Sequence, residues 1–151
     1  MALNEDFLGR VFPPSDPYQV GREKIREFAA AIGDDNPVFH DVESARALGY
    51  ADVVAPPTFP ILLALNAAEA AVRDPELGLD YSRVVHGEQK FQYTRPVVAG
   101  DELVVTVTID GLRTMAGNDM VTARGDVTTV DGEPVVTTTS LLIARAEDGS
   151  A

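Results

Sequence analysis

The sequence of 151 residues contains no cysteine and no tryptophan, and it has only two histidines, His40 and His86. Without cysteine, the chain can form neither a disulfide framework nor a thiolate metal site. Two histidines leave little for a histidine-based metal centre. The many carboxylates still permit an oxygen site for calcium or magnesium, but no calcium-loop spacing is present. We therefore expect neither a metal ion nor a cofactor.

Basic residues are also scarce. Twelve lysines and arginines stand against 24 aspartates and glutamates, which gives a formal net charge of −12. This charge disfavours binding to nucleic acid or to an anionic membrane surface, so we expect neither partner. The longest apolar stretch, residues 59–72, is too short to span a bilayer. The first residues contain no basic and apolar leader, and we expect a cytoplasmic location.

What the chain does contain is enough apolar residues for a core. Hydrophobic residues make up 45% of the sequence, which argues against disorder. The length fits one domain. We predict a single domain over residues 1–146, followed by a frayed tail at residues 147–151.

The first half of the chain predicts three helices. Residues 22–32 carry apolar side chains at spacings of three and four, and Gly33 should end that helix. Asp41 is typical of the N-cap of a short helix that runs to residue 48. Thr58 is the expected N-cap of a longer helix that ends near Arg73. This central helix is apolar on nearly all sides, which predicts that other elements bury it.

The second half predicts strands. Alternating or apolar segments occupy residues 84–93, 102–113, 120–130 and 134–145. The pair Asp131-Gly132 is a strong hairpin signal between the last two segments. Consecutive strands joined by short turns predict an antiparallel sheet. We expect an α+β architecture in which this sheet curls around the long central α-helix.

The segment from Gly33 to Phe59 carries the densest polar chemistry. Asp34, Asn36 and His40 lie within one turn, and the start of a helix follows. A carboxylate, a carboxamide and an imidazole this close together can move a proton at a carbonyl compound. The same residue types are also common in turns, where they bind backbone amides. The residues alone leave both interpretations open.

Three segments resemble one known family. DDNPVFH, residues 34–40, resembles the D-x-N-P-x-H signature of R-specific enoyl-thioester hydratases and MaoC-like dehydratases. ARALGYADVVAPPTF, residues 45–59, and HGEQKFQYTRPVVAGDEL, residues 86–103, resemble the stretches that flank the central helix of that family. The chain is most similar to the N-terminal MaoC-like, or FAS1-type, dehydratase subgroup. Within it, the chain resembles the acyl-chain-binding subunit of an actinobacterial (3R)-hydroxyacyl-carrier-protein dehydratase.

The resemblance implies a single hot-dog fold and a reaction. That reaction is the reversible loss of water from a (3R)-3-hydroxyacyl thioester carried by acyl carrier protein or coenzyme A. It also implies a dimer, either of two copies or with a MaoC-like partner. By motif position, Asp34 and His40 are the candidate catalytic residues. The candidate substrate-binding residues are Asn36, Phe39, Thr58, His86 and Arg95.

Simpler structural roles remain open for several of these candidates. Asn36 can brace its loop through side-chain bonds to the backbone, and Thr58 can be simply a helix cap with no contact to substrate. His86 either faces an acyl or pantetheine channel or is a hydrogen-bonded sheet histidine. Arg95 either binds a phosphate of the carrier or pairs with one of the abundant carboxylates.

Two departures from the family pattern affect the expected function. Phe39 stands where the family has its histidine, so His40 is one residue further along. Pro57 stands where the family has a glycine whose N–H polarises the thioester carbonyl, and proline has no N–H. The resemblance therefore favours an acyl-binding subunit that works with a catalytic MaoC-like partner. The alternatives are a self-sufficient homodimeric R-specific enoyl-CoA hydratase, a non-catalytic acyl-thioester-binding protein and a hot-dog thioesterase.

Overall fold

The computed structural model describes residues 2–147, so residues 148–151 of the predicted tail lie outside the described part. The described residues form three α-helices, namely α1 (Arg22–Ala31), α2 (Val42–Ala47) and α3 (Ile61–Val72). They also form five strands, namely β1 (Tyr18–Gln19), β2 (Val84–Tyr93), β3 (Glu102–Met115), β4 (Asn118–Thr129) and β5 (Pro134–Ala144). Short 3-10 turns lie at Glu5–Phe7, Pro37–Phe39 and Tyr81–Arg83.

Helix α1 ends, and helix α2 begins, where the sequence predicts. The chain leaves α1 through Gly33, whose φ of 74° lies in the left-handed region that glycine tolerates. The carboxylate of Asp41 accepts the amide of Ser44 at 2.9 Å and so caps α2.

Helix α3 differs from its prediction in two respects. The expected cap at Thr58 is wrong, because the helix begins at Ile61 with Pro60 in the cap position and no side-chain cap bond. A cap at Thr58 would need the amide of residue 60 or 61, but Pro60 has no N–H, and the amide of Ile61 donates to the backbone carbonyl of Thr58 at 3.1 Å. The helix is also not buried on nearly all sides, since Leu65 and Glu69 lie on a face that this chain leaves exposed.

The sheet is antiparallel throughout, with the strand order β1-β3-β4-β5-β2. Strands β3 and β4 are longer than predicted, because their turn consists only of Ala116 and Gly117. Both residues have positive φ, 51° and 78° respectively. Such a turn matches the twist of the strands it joins, so pairing continues to Met115 and Asn118.

The core lies between α3 and the concave face of the sheet. Leu63, Ala68 and Val72 of the helix meet inward residues of β3 and β4 such as Val107 and Val121, all of them buried. A curled antiparallel sheet wrapped around one helix is the hot-dog architecture. The predicted fold class is therefore confirmed.

The two edges of the sheet differ in whether another segment of the chain bonds to them. The segment before β1 runs along β3, where Gly9, Phe12 and Ser15 donate their amides to carbonyls of β3 at 2.8 to 2.9 Å. Within the described residues, β2 pairs only with β5, so its other edge is open. In residues 2–147, no helix is long and apolar enough to cross a bilayer.

Candidate functional site

The described surface contains an apolar cleft of about 420 Å³ beside the start of α3. Its walls come from the loop after α1, the segment between α2 and α3, and the end of β2. The apolar lining includes Val38, Phe39, Leu48, Val54 and Ala55. A cleft of this size and lining is suited to an apolar small-molecule group.

Asn36 is the polar residue on one side of the cleft. The backbone amide of Asn36 donates to the Asp34 carboxylate at 3.1 Å, and the side-chain oxygen of Asn36 accepts the backbone amide of Val38 at 3.1 Å. These two local bonds turn the chain so that Val38 and Phe39 are buried towards the cleft, each only 8% exposed. The bracing role considered for Asn36 is thus present, while its position in the cleft wall also leaves it available to a ligand.

The two candidate catalytic residues lie outside the cleft lining. The His40 Nε2 atom is 2.8 Å from the backbone carbonyl of Asp34, and because a carbonyl only accepts, Nε2 donates. Arg26 in turn donates to the carbonyl of His40 at 2.8 Å. The imidazole therefore holds the loop rather than pairing with the Asp34 carboxylate. Catalysis by Asp34 and His40 stays a hypothesis.

Tyr93 closes the other side of the cleft. Its hydroxyl donates to the carbonyl of Pro57 at 2.6 Å, so it ties the end of β2 to the segment that leads into α3. Burial raises the pKa of Tyr93, which keeps the hydroxyl protonated and able to donate. Neither Pro56 nor Pro57 has an N–H, so both bond through their carbonyls: that of Pro56 accepts the amide of Phe59 at 2.9 Å, and that of Pro57 accepts the Tyr93 hydroxyl.

Two other candidates lie apart from the cleft. Arg95 donates to Asp101 at 2.9 and 3.1 Å and to Glu133 at 2.8 Å, and the hydrogen bond to Asp101 is the main reason that its pKa is raised. Thr58 directly follows the cleft residue Pro57, but its side chain is exposed and is not part of the lining.

His86 lies on the concave face of β2, at a bulge between His86 and Glu88. Its Nε2 atom is 3.1 Å from both the carbonyl oxygen of Glu88 and the side-chain oxygen of Gln89. Gly87 occupies the bulge because a Cβ there would come within 2.7 Å of the Ile143 side chain. The imidazole is exposed beside the open edge of the sheet.

The chemistry available in the cleft follows from this placement. The titratable side chains among its described lining residues are Tyr50 and Tyr93, and neither a carboxylate nor an imidazole belongs to the lining. Residues 2–147 also contain no cluster of three His, Asp or Glu side chains able to hold a metal ion. The cleft can hold an apolar chain, and Asn36, Tyr50 and Tyr93 are the polar side chains that its described lining offers to a ligand.

A family model described as "FAS1-like, dehydratase domain region" matches residues 6–138. The chain belongs to this family. Among proteins similar to this FAS1-like dehydratase domain is the "UPF0336 protein" of Streptomyces avermitilis, which is 62% identical over 98% of this chain and 99% of its own length. A "UPF0336 protein" of Saccharopolyspora erythraea is 56% identical over 98% of this chain and 96% of its own.

Solved structures agree with this family and with the predicted MaoC-like resemblance. One chain of the C-terminally truncated HadBC (3R-hydroxyacyl-ACP dehydratase) complex from Mycobacterium tuberculosis is 36% identical, with a TM-score of 0.82 over 91% of this chain and 97% of that one. A "MaoC-like dehydratase" is 35% identical with a TM-score of 0.87, over 95% of this chain but only 44% of that longer chain. R-hydratase PhaJ1 from Pseudomonas aeruginosa, at 22% identity and a TM-score of 0.68, shares the fold.

Sequence reasoning about this FAS1-like dehydratase domain missed several cleft residues. Leu48 and Tyr50 lie in a loop after α2, and no periodicity marked them as lining a site. Tyr93 carried one usable signal, because it shares a strand face with Phe91 just before the segment that resembles the family turn. The closure with Pro57 depends on a contact between residues 36 positions apart, which a strand pattern does not report.

Proposed function

We propose that the chain is the acyl-chain-binding subunit of a (3R)-3-hydroxyacyl-thioester dehydratase or enoyl hydratase in fatty-acid-type metabolism, located in the cytoplasm. The observation that carries this proposal is the apolar cleft of about 420 Å³ whose described lining contains neither a carboxylate nor an imidazole. An acyl chain would lie against Val38, Phe39 and Val54, where its methylenes leave water. Its carrier would be either acyl carrier protein or coenzyme A.

The reaction requires groups that this cleft lacks. Dehydration removes a proton next to the thioester carbonyl and protonates the leaving hydroxyl, so it needs an acid–base group within hydrogen-bond reach of both. His40 is bound to a backbone carbonyl, and Phe39, at the family's histidine position, cannot transfer a proton. We infer that a MaoC-like partner chain supplies the acid–base pair. The similarity to one chain of a (3R)-hydroxyacyl-ACP dehydratase complex supports an arrangement of two chains.

The homodimeric hydratase remains a specific alternative. In it, Asp34 and His40 would form the catalytic pair themselves, with Asn36 and Thr58 near the thioester. This requires the His40 ring to leave the Asp34 carbonyl, 2.8 Å away, and turn towards the cleft.

The decisive experiment is the hydration of a short trans-2-enoyl-coenzyme A by the purified chain. We expect no activity above buffer with the chain alone, and activity after co-expression with a MaoC-like chain encoded in the same genome. Activity of the chain alone that both Asp34→Ala and His40→Ala abolish would refute the subunit proposal in favour of the homodimeric hydratase. Release of free thiol from acyl-coenzyme A would indicate a thioesterase instead.

A binding experiment tests the cleft itself. Leu48 lines the cleft yet is 68% exposed, so Leu48→Ser should leave the fold intact while removing apolar surface that an acyl chain would cover. We expect about tenfold weaker binding of dodecanoyl-coenzyme A in calorimetry, since burying one such side chain stabilises by about 1.5 kcal/mol. The matched control is Leu8→Ser, because Leu8 is 55% exposed and does not line the cleft. Equal affinities of both variants would place the acyl chain elsewhere.

A further inference from the structure

We propose that the hydroxyl of Tyr50 donates the hydrogen bond that holds the thioester carbonyl of the bound acyl group, in place of the backbone N–H that Pro57 lacks. This role presupposes the proposed function, because it requires an acyl thioester in the cleft. It adds the side chain that recognises the polar end of that ligand.

The segment that leads into α3 lacks the backbone donor that the family places there. The resembling enzymes use a glycine N–H at the position of Pro57, and neither Pro56 nor Pro57 has an N–H. The next amide along the chain belongs to Thr58, which is not part of the cleft lining. A carbonyl that leaves water for an apolar cleft loses free energy unless a new donor bonds to it. The donor must therefore come from a side chain of the lining.

The polar side chains of the described lining are Asn36, Tyr50 and Tyr93, and they differ in how far they are already bonded. The Tyr93 hydroxyl donates to the Pro57 carbonyl at 2.6 Å. The Asn36 side chain is oriented by its bond to the amide of Val38 at 3.1 Å. Within residues 2–147, the Tyr50 hydroxyl has no hydrogen-bond partner. Because a phenol hydroxyl can rotate towards an acceptor, Tyr50 is the best-suited donor of the three.

The backbone of Tyr50 is fixed by the end of α2. Gly49 has a φ of 91°, and its amide donates to the carbonyl of Arg46 at 2.9 Å. The amide of Tyr50 donates to the carbonyl of Ala45 at 3.1 Å. These two bonds form a Schellman motif, which ends a helix and holds the two residues that follow it. Tyr50 is thus positioned beside the cleft before a ligand arrives, which reduces the entropy lost on binding.

The chain beyond Tyr50 is fixed as well. Arg46 donates to the carbonyl of Ala51 at 3.3 Å, and Arg22 donates to the Asp52 carboxylate at 2.7 and 2.9 Å. The hydrogen bond from Arg22 lowers the pKa of Asp52, so this ion pair persists at neutral pH. None of these bonds uses the Tyr50 side chain. Removing its hydroxyl should therefore leave this wall of the cleft in place.

The exposure of Tyr50 fits a residue that meets a ligand. Its side chain lines the cleft and is 36% exposed, so water can reach the hydroxyl in the unliganded chain. The ligand carbonyl replaces that water, and such an exchange strengthens binding by about fivefold. When the thioester oxygen gains negative charge during the reaction, the same bond becomes stronger, because donors bind charged acceptors more tightly.

A pair of ligands that differ only at the carbonyl tests the assignment. Dodecanoyl-coenzyme A has the thioester carbonyl, and S-dodecyl-coenzyme A is a thioether with a methylene in its place. In calorimetry, Tyr50→Phe should bind the thioester about fivefold more weakly and the thioether with unchanged affinity, since the ring remains. The matched control is Tyr81→Phe, because Tyr81 is 38% exposed, lies outside the cleft lining and should affect neither ligand.

Infrared spectroscopy of an isotopically labelled thioester carbonyl gives a readout that a packing role would not change. A hydrogen bond lowers the stretching frequency of the carbonyl, so the frequency should rise in Tyr50→Phe and stay constant in Tyr81→Phe.

Several outcomes would overturn the assignment. An equal loss of both ligands in Tyr50→Phe would show that Tyr50 only packs against the acyl chain. Unchanged binding and frequency would show that it donates no bond, and a loss confined to the thioester in Asn36→Ala alone would assign the carbonyl to Asn36. Each of these results leaves the acyl-binding subunit in place. If the wild type bound neither ligand, the proposed function would fail together with the donor.

Discussion

The hydrogen bond from Tyr93 to Pro57 provides a sharp test of how the cleft is held together. Tyr93→Phe removes only the hydroxyl, which donates to the Pro57 carbonyl at 2.6 Å. A bond of this kind contributes about 1 kcal/mol net. Pro57 is exposed, so water can reach the freed carbonyl, and the cost should not rise far above that value.

This free energy converts into measurable shifts. For a chain of this size, a loss of about 1 kcal/mol lowers the melting temperature by about 2–4 °C. It also moves the urea midpoint by about 0.5 M without changing the slope. The matched control is Tyr81→Phe, because Tyr81 packs its ring against the Arg73 guanidinium at 4.1 Å and has no described bond from its hydroxyl. Equal stability of the two variants would show that the bond to Pro57 does not hold the cleft wall.

The pH dependence of the same variant has a defined sign. Burial raises the pKa of Tyr93 in the folded chain above the value of about 10 in the unfolded chain. The unfolded wild type therefore ionises first as the pH increases, and the wild type loses stability above about pH 10. Tyr93→Phe lacks this ionisation. The stability difference between the two should be constant below that pH and shrink above it, and a difference that grows would contradict the assignment.

Three further predictions use other contacts. Gly125→Ala should destabilise the fold by about 2 kcal/mol in urea unfolding, because the new Cβ would come within 2.5 Å of the Thr138 hydroxyl. Adding Thr138→Ala should recover part of this loss, and strictly additive effects of the two substitutions would contradict the clash. Arg95→Lys should destabilise by about 1 kcal/mol, since one ammonium cannot replace the forked contact with Asp101, and coenzyme A binding should not change if that pair is structural. Asn36→Ala should cost about 1 kcal/mol as a lost cap, and should also weaken acyl-coenzyme A binding if the cleft is the acyl site; unchanged binding would leave Asn36 with only its bracing role.

The local structure was largely predictable because it depends on neighbours in sequence. Strand β2 has the predicted bounds, and Asp41 caps α2 as its residue type indicates. The error at Thr58 shows the limit of such rules. A threonine before a helix is a good cap in general. Here Pro60 has no amide to offer, and the amide of Ile61 bonds to the Thr58 backbone carbonyl in a turn that precedes the helix.

The cleft was less predictable, because its walls come from separate parts of the chain. The motif around Asp34 supplies one wall, and two of the residues it singled out, Asn36 and Phe39, line the cleft, while their role in binding stays a prediction. The opposite wall depends on where β2 ends relative to Pro57, which follows from how the sheet curls. Alternation along a strand indicates which residues share a face but not what they meet, so Tyr93 could be placed on β2 without its partner being known.

The covered edge along β3 has a consequence for how large any assembly of this fold can become. Among residues 2–147, the N-terminal segment with Pro13, Pro14 and Pro17 covers the β3 side of the sheet, and the outer edge of β2 is left open. A contact that joins two such edges about a two-fold axis uses both of them, so a third chain finds no strand to extend. Whichever hot-dog chain joins β2, growth stops at a closed pair, and the fold avoids the open-ended stacking that leads to fibres.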